Sequence, residues 1–212
     1  MHRVLLAGLA ALSTVAIAQA PTTVPGSRNV AAVSGGTYNV DSGHTLVVWT
    51  LDHLGFSPYT GIFGDVSGTL MLDPKRPNQA RVDVRIPVSK VVTASAGLTE
   101  HLLRAGKDGA KPDFFGPKPG EARFVSNSVV PSGQKARISG QLTLNGVTRP
   151  VTLETTFYGA GRAPAAMGGQ ESVGFRATGT IMRSQFGLTT GIPLVGDQVK
   201  LDISAAFTKA KR

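Results

Sequence analysis

Hydrophobic and polar residues alternate with a period of two through most of this chain. In "QARVDVRIPV", valine and isoleucine alternate with arginine, aspartate and proline. Similar runs cover 44–51, 62–72, 123–130, 136–144, 151–157, 173–181 and 199–207. Because this alternation is typical of strands with one buried face, the chain is predicted to form eight strands, with a short extra strand at 38–40.

A hairpin and one helix are predicted between these strands. Asn145-Gly146 separates two of the runs, and Asn-Gly supplies the positive φ angles of a type I′ turn. The best helical pattern is "GLTEHLLRAG", with Thr99 as its cap and Gly106 as its end. It lies in a connection of roughly 30 residues, far above the usual median of about 4 to 6. We interpret this connection as either functional or containing a missed strand.

Eight antiparallel strands can form either a sandwich or an up-and-down barrel. Periodicity alone does not choose between them. Glycines within the strands, such as Gly64 and Gly68, favour strongly bent strands and hence the closed barrel. A barrel of this size is either filled by its own side chains or holds one small ligand.

The first residues predict export. A basic start, "MHR", precedes an apolar run too short to span a bilayer, which indicates a secretory signal peptide covering residues 1–18, with cleavage after Ala20 as the alternative. Residues 19–36 are rich in Pro, Thr, Gly and Ser and are predicted to form a flexible leader. The remaining chain is expected to be one domain, 37–209, followed by a basic tail, 210–212, without a transmembrane segment.

Composition narrows the classes of partner. The chain has no cysteine, so the exported product has neither a disulfide nor a thiol for a lipid anchor. Its formal charge is +9, and it becomes +8 when the signal peptide is removed with Arg3. This balance favours anionic partners, but the basic residues are scattered without interleaved aromatics. We therefore expect no nucleic-acid partner and interpret the charge equally well as a basic solvated surface.

No catalytic or metal-binding motif is found. Asp52 and His53 are adjacent, so in a regular strand they point to opposite faces and do not pair as acid and base. His44, His53 and His101 lack the spacing of metal ligands, and no metal site is predicted. The chain also lacks a nucleophile elbow, a P-loop and a dinucleotide-binding glycine motif.

Aromatic residues are the remaining candidates for a site. Seven of them lie near strand ends and in the long connections: Trp49, Phe56, Phe63, Phe114, Phe115, Phe124 and Phe186. They could line a cavity or its mouth, or they could simply fill the core. The adjacent pair Phe114 and Phe115, in the proline-bounded "KPDFFGPKPG", is less easily explained as core.

Several ordered blocks resemble the YceI-like family. They are "YNVDSGHTLVVWTLDHLGFSPYTGIFG", "PDFFGPKPGEARFVSNSV", "GQLTLNGVTRPVTL", "IMRSQFGL" and "VGDQVKLDI", and together they span about residues 38–209. The chain departs from the family pattern at Leu98-Thr99, where Arg-Asp is common, and at Gln185, where an acidic residue is usual. The first departure affects any charged contact to a head group or the anchoring of the helix.

This resemblance implies an extended, lipocalin-like antiparallel β-barrel of eight strands, exported to the periplasm. The barrel would hold the tail of a polyisoprenoid lipid, either a prenyl phosphate or an isoprenoid quinone, as its ligand, with no other cofactor and no enzymatic activity. The residues expected to bind the tail are Trp49, Phe56, Phe63, Leu102, Leu103, Phe114, Phe115, Phe124, Phe175, Ile181 and Phe186. Weak head-group contacts are expected from His53, Arg104 and Arg183, or from Lys107 and Lys111.

Two alternatives stay open at this point. One is an enzyme that acts on a lipid inside the barrel with His44, His53 or His101 as general base. The other is a stress or protein-interaction module whose barrel is filled by its own side chains. A membrane redox protein or lipid-processing protein is a candidate partner, and a dimer is compatible with the sequence.

Overall fold

The structure is a computed structural model that describes residues 23–211. The predicted signal peptide and residues 19–22 of the predicted leader lie outside this range. Within it, no helix has the length and apolar character needed to cross a bilayer.

The described chain forms eleven strand segments and one α-helix. The strands are β1 Gly36–Val40, β2 Leu46–His53, β3 Ser57–Phe63, β4 Ser67–Leu72, β5 Arg81–Ile86, β6 Val92–Thr93, β7 Ala122–Ser132, β8 Lys135–Leu144, β9 Val147–Arg162, β10 Glu171–Met182 and β11 Gln198–Lys209. The helix, α1, is Ala96–Leu103, and single turns of 3₁₀-helix lie in several connections.

These segments form a closed antiparallel barrel with eight strand positions. β1 pairs with both β4 and β11, which closes the ring. β1 and β2 pair with successive parts of β11, so they are two halves of one interrupted strand, and β3–β4 and β5–β6 are interrupted in the same way. The predicted eight-stranded antiparallel barrel is thus confirmed, and the extra strand predicted at 38–40 is the first half of the first strand.

Glycine permits the close approach of neighbouring strands, as at Gly68 in β4. Its φ of +129° is unfavourable for other residues, and a Cβ there would overlap the Asp83 carbonyl oxygen of β5. The predicted hairpin is confirmed as well, since Asn145 and Gly146 both have positive φ between β8 and β9.

The helix begins and ends earlier than predicted. Ser95, in extended conformation, accepts a hydrogen bond from the Leu98 amide at 3.3 Å and is the N-cap. The assignment of Thr99 as the cap is wrong, because Thr99 lies inside the helix and its hydroxyl is 2.9 Å from that of Thr93. This bond ties α1 to the end of β6.

The up-and-down topology gathers alternate connections at two ends of the barrel. What we call the closed end consists of 53–57, 93–122, 144–147 and 182–198, which includes α1 and the long connection. The open rim, at the opposite end, consists of 23–36, 72–81, 132–135, 162–171 and 209–211.

Candidate ligand-binding site

The barrel encloses an apolar cavity of about 370 Å³. Its wall is formed by 38 residues drawn from the barrel strands and the rim. Four of these have polar side chains: Thr45, Gln134, Lys135 and Thr155. Because a buried water needs two to four polar partners, such a wall favours an apolar occupant over water.

The inner wall carries two buried threonine hydroxyls, those of Thr45 and Thr155. The Thr45 hydroxyl donates to the Ala206 carbonyl at 3.0 Å and accepts from its amide at 3.1 Å. The Thr155 hydroxyl is buried and has no hydrogen-bond partner among the described residues. Gln134 and Lys135 lie at the rim and are exposed. The interior therefore offers an occupant mainly van der Waals contact.

Three phenylalanines line the cavity toward the open rim. Phe157 and Phe175 pack edge to face with ring centroids 5.8 Å apart, and Phe175 packs on Phe207 in the same way at 6.2 Å. All three belong to the cavity wall. Edge-to-face packing fixes the ring planes, so this part of the wall has a defined shape.

A hydrophobic plug seals the closed end of the cavity. Trp49, Val91, Leu102 and Val199 form a buried cluster there. The Trp49 ring lies so close to Gly61 that a Cβ at that position would overlap it. Leu102, the buried residue of helix α1, belongs to the same cluster, so the helix covers this end of the barrel interior.

The Phe114-Phe115 loop is part of this plug. The Phe115 amide donates to the Leu102 carbonyl at 3.0 Å, and its ring packs edge to face on Phe63 at 6.0 Å. Asp113, before the pair, accepts hydrogen bonds from Arg104 at 3.1 Å and contacts His101 Nε2 at 2.8 Å. His101 and Arg104 hold the pKa of the Asp113 carboxyl below its usual value.

Arg183 ties the last connection of the closed end together. It is 3% exposed, and its guanidinium donates to the carbonyl oxygens of Leu188, Thr190, Val195 and Gly196 at 2.7–2.9 Å. Burial lowers its pKa, with partial compensation by the charge of Asp197. Arginine stays protonated in proteins, so this is a buried cation satisfied by backbone carbonyls.

The predicted flexible leader packs on the barrel over residues 23–35 and forms a strap at the open rim. Ser27 and Ala160 of β9 exchange two backbone hydrogen bonds at 3.0 and 2.8 Å. Gly161 allows the strap to approach β9 closely, since a Cβ there would overlap the Pro25 carbonyl oxygen. Val33, near the end of the strap, lines the cavity. The strap therefore forms part of the cavity mouth.

A buried carboxylate holds the end of this strap through hydrogen bonds. Glu171, 6% exposed, accepts hydrogen bonds from the Tyr38 hydroxyl and from the Ser34 amide, the latter at 2.9 Å. Burial acts to raise the pKa of Glu171, but the donors and the charge of Lys209 hold it below its usual value. Burial and the bond to Glu171 raise the pKa of Tyr38 to about 12.

The residues predicted to bind a tail fall into three groups. On the cavity wall lie Phe63, Phe124, Phe175 and Ile181. In or against the buried clusters of the closed end lie Trp49, Leu102, Leu103, Phe114, Phe115 and Phe186. Phe56 is 88% exposed at a turn of the closed end. The structure thus brings the first group together around the cavity and uses the second to seal it.

The predicted head-group residues also lie at the closed end. His53 forms an isolated bridge to Val195, Arg104 is exposed beside Asp113, and Arg183 is buried. Lys107 and Lys111 are exposed in the long connection. The rim residues that border the cavity mouth, among them Lys135, were not predicted, because the sequence does not reveal which end is sealed.

The histidines lie away from the cavity. His44 pairs with Asp41 at 2.8 Å on the surface, and His53 and His101 belong to the closed end. None of the three is part of the cavity wall. Across residues 23–211, no group of three or more His, Asp or Glu side chains is arranged to hold a metal ion.

Comparison with known proteins gives a consistent result. Residues 38–207 match the family model of the YceI-like domain. A protein named YceI from Salmonella arizonae is 37% identical over 169 residues, which cover 79% of this chain and 83% of that protein.

Solved structures share the fold. BcnA from Burkholderia cenocepacia aligns with a TM-score of 0.63 at 24% identity, covering 79% of this chain and 98% of that chain. A polyisoprenoid binding domain from Saccharophagus degradans, implicated in plant cell wall breakdown, aligns with a TM-score of 0.54 at 13% identity, covering 82% and 98%. At these identities the likeness shows the barrel fold.

Proposed function

This chain belongs to the YceI-like family, and we propose that it is an exported protein that binds the tail of a polyisoprenoid lipid inside its barrel, for storage or transport. The observation that carries the proposal is the apolar cavity, sealed at one end and bordered by exposed residues at the other. The domain from Saccharophagus degradans, which has this fold, is a polyisoprenoid binding domain.

The tail is expected to supply most of the affinity. Burying one five-carbon isoprene unit is worth up to about 4 kcal/mol, at about 0.8 kcal/mol per carbon, before the costs of ordering the ligand. A solvent-exposed ion pair to a head group contributes only about 0 to 1 kcal/mol. Affinity should therefore follow tail length, and the head group would remain at the open rim near Lys135 and Gln134.

Mass spectrometry of an organic extract of the purified protein tests this proposal. We expect a prenyl phosphate or an isoprenoid quinone to co-purify, or an added polyprenyl ligand to be taken up. Repeated absence of any lipid, together with no uptake of added ligand, would refute the proposal.

A pair of variants on β10 sharpens this test. Ala177 is buried on the cavity wall, and the neighbouring Thr178 is exposed on the outer face. Ala177→Trp should fill the interior and remove bound lipid, whereas Thr178→Trp should retain it. Ala205→Phe, also on the wall, serves as a second blocking variant if the first does not fold. Equal lipid content in a folded blocking variant and in the control would place the lipid outside the barrel.

A further inference from the structure

The open rim carries nearly all of the excess positive charge of the described chain. Residues 23–211 contain 20 Lys and Arg and 13 Asp and Glu, a formal charge of +7. The open rim contains eight Lys and Arg and two Asp and Glu, a charge of +6. The closed end contains five of each and is neutral. Both ends consist of connections between strands. The excess of positive charge is therefore a property of the open rim and not of connections in general.

Most of the rim cations are not neutralised by a carboxylate. Asp73 pairs with Arg76, and Glu171 lies in the field of Lys209. Six remain, namely Arg28, Lys75, Arg81, Lys135, Arg162 and Lys211, and none has a carboxylate of residues 23–211 within 4.0 Å. All six are exposed. A one-sided basic surface of this kind attracts anionic surfaces.

Exposed apolar side chains surround the same rim. Val24 and Val30 of the strap are 87% and 51% exposed, and Met167 in the β9–β10 connection is 76% exposed. Tyr158, near the end of β9, is 69% exposed. Apolar side chains among lysines and arginines are the composition of surfaces that lie at the boundary between lipid head groups and acyl chains.

We propose that the open rim docks on an anionic phospholipid surface, with the cavity mouth facing the bilayer. Val30 and Lys135 belong both to the rim and to the cavity wall, so the docking surface is continuous with the cavity. This inference rests on the proposed function, because it gives the route by which a tail passes between membrane and barrel. The occupant is a lipid bilayer rather than free phosphate, since the apolar side chains need acyl chains to cover them.

Co-sedimentation with vesicles tests this proposal. The probes are vesicles of phosphatidylglycerol mixed equally with phosphatidylcholine and vesicles of phosphatidylcholine alone. We expect the mature protein to bind the former more tightly, with an affinity that falls as salt is added. Weak or absent binding to both kinds of vesicle would overturn the proposal.

Two triple variants with the same change in charge identify the face that binds. Lys75→Glu, Lys135→Glu and Lys211→Glu alter the rim, and Lys107→Glu, Lys111→Glu and Lys118→Glu alter the exposed lysines of the closed end. At roughly 1 kcal/mol for each basic residue near an anionic membrane, the rim variant should bind about a hundredfold more weakly. The closed-end variant should change by less than about threefold. Equal losses in both would contradict docking through the rim.

The lipid content of each sample separates this proposal from the proposed function. A protein that retains a prenyl lipid in its extract but ignores anionic vesicles would refute docking and leave lipid binding in place. A protein that binds the vesicles through its rim but neither carries nor takes up a prenyl ligand would refute the proposed function. In the latter case the rim would still be a membrane-binding surface.

Discussion

The two ends of the barrel are built from the same kind of segment, connections between antiparallel strands, but they are stabilised differently. The closed end is held by packing, because helix α1 and the Phe114-Phe115 loop cover the interior with buried side chains. The open rim is held by polar contacts around Glu171, by the two backbone bonds between Ser27 and Ala160, and by a smaller buried contribution of the strap, in which Val33 joins a cluster with Tyr38.

This difference has a consequence for access to the cavity. Opening the closed end would expose a continuous apolar cluster and the buried Arg183, which is costly. Lifting the strap would break a small number of hydrogen bonds and expose one buried side chain, Val33, whereas most residues of the strap are already exposed. Local opening draws on the least stable segments of a fold, so a ligand is expected to enter and leave through the rim.

The largest expected effect tests the stability of the closed end. Arg183→Met leaves four carbonyl oxygens without their donor, and each buried polar group without a partner costs about 1 to 3 kcal/mol. We therefore expect the free energy of unfolding, measured by urea denaturation, to fall by at least about 3 kcal/mol. The matched control is Arg162→Met at the rim, whose exposed guanidinium donates to the Gly169 carbonyl at 3.2 Å. It should change stability by less than about 0.5 kcal/mol. Similar losses in the two variants would remove the distinction between the ends.

The next effect tests the hydrogen bonds of Glu171, which hold the end of the strap. Tyr38→Phe removes a hydrogen bond to a buried carboxylate, and bonds to charged groups are worth about 1.5 to 3 kcal/mol. A loss of this size in the free energy of unfolding is expected at neutral pH. A change below about 0.5 kcal/mol would mean that the Glu171 cluster does not stabilise the fold.

The bond between Tyr38 and Glu171 also predicts that the stability of the fold depends on pH. Because the pKa of Glu171 is lowered in the folded state, its stabilisation is present above its unfolded pKa of about 4.3 and is lost as the pH falls through the folded value. The pKa of Tyr38 is raised to about 12, so its contribution is present below about pH 10 and is lost toward about pH 12. Urea midpoints recorded against pH should show both losses. Glu171→Gln should reduce the acid loss without abolishing it, because other carboxylates, such as Asp113, also have lowered pKa values. A midpoint curve unchanged by this substitution would contradict the assignment.

A smaller effect tests the close contact between the strap and Gly161. Gly161→Ala places a Cβ on the Pro25 carbonyl oxygen and should lift the strap from β9. Hydrogen exchange at the Ser27 amide should then accelerate about tenfold or more, and a bound lipid should dissociate faster, as expected for a loss of about 1.4 kcal/mol. Gly174→Ala, on the adjacent strand, meets its nearest atom at 3.8 Å and is the control. Slower or unchanged exchange in Gly161→Ala would show that the strap is held by other contacts.

The strands could be predicted from sequence because each has one buried face, which imposes a period of two. The period alone could not predict closure into a barrel, because a sandwich requires the same period, and only the glycines within the strands favoured the barrel. The two backbone bonds between Ser27 and Ala160 join residues far apart in the chain. No local pattern encodes them, and the strap was therefore predicted as a flexible leader.

The candidate site was predicted in part for a similar reason. Phe175, from a predicted strand, and Phe114, from the proline-bounded loop, were both predicted to bind the tail, but the first lies on the cavity wall and the second in the plug. The rim cations are scattered in the sequence and were interpreted as a general basic surface. They meet in space because an up-and-down barrel returns every second connection to the same end.

The smallest expected effect concerns Phe56, at the tip of the closed end. This residue is 88% exposed, and Leu54 and Leu194 nearby in the paired segments are also exposed. If ligand and membrane both use the open rim, Phe56→Ser should change the free energy of unfolding by less than about 0.5 kcal/mol. Lipid content and vesicle binding should stay the same, whereas Phe175→Ala, on the cavity wall, should reduce the lipid content. Loss of lipid or of vesicle binding in Phe56→Ser would mean that the closed end takes part in exchange, and the contrast between the two ends would then fail.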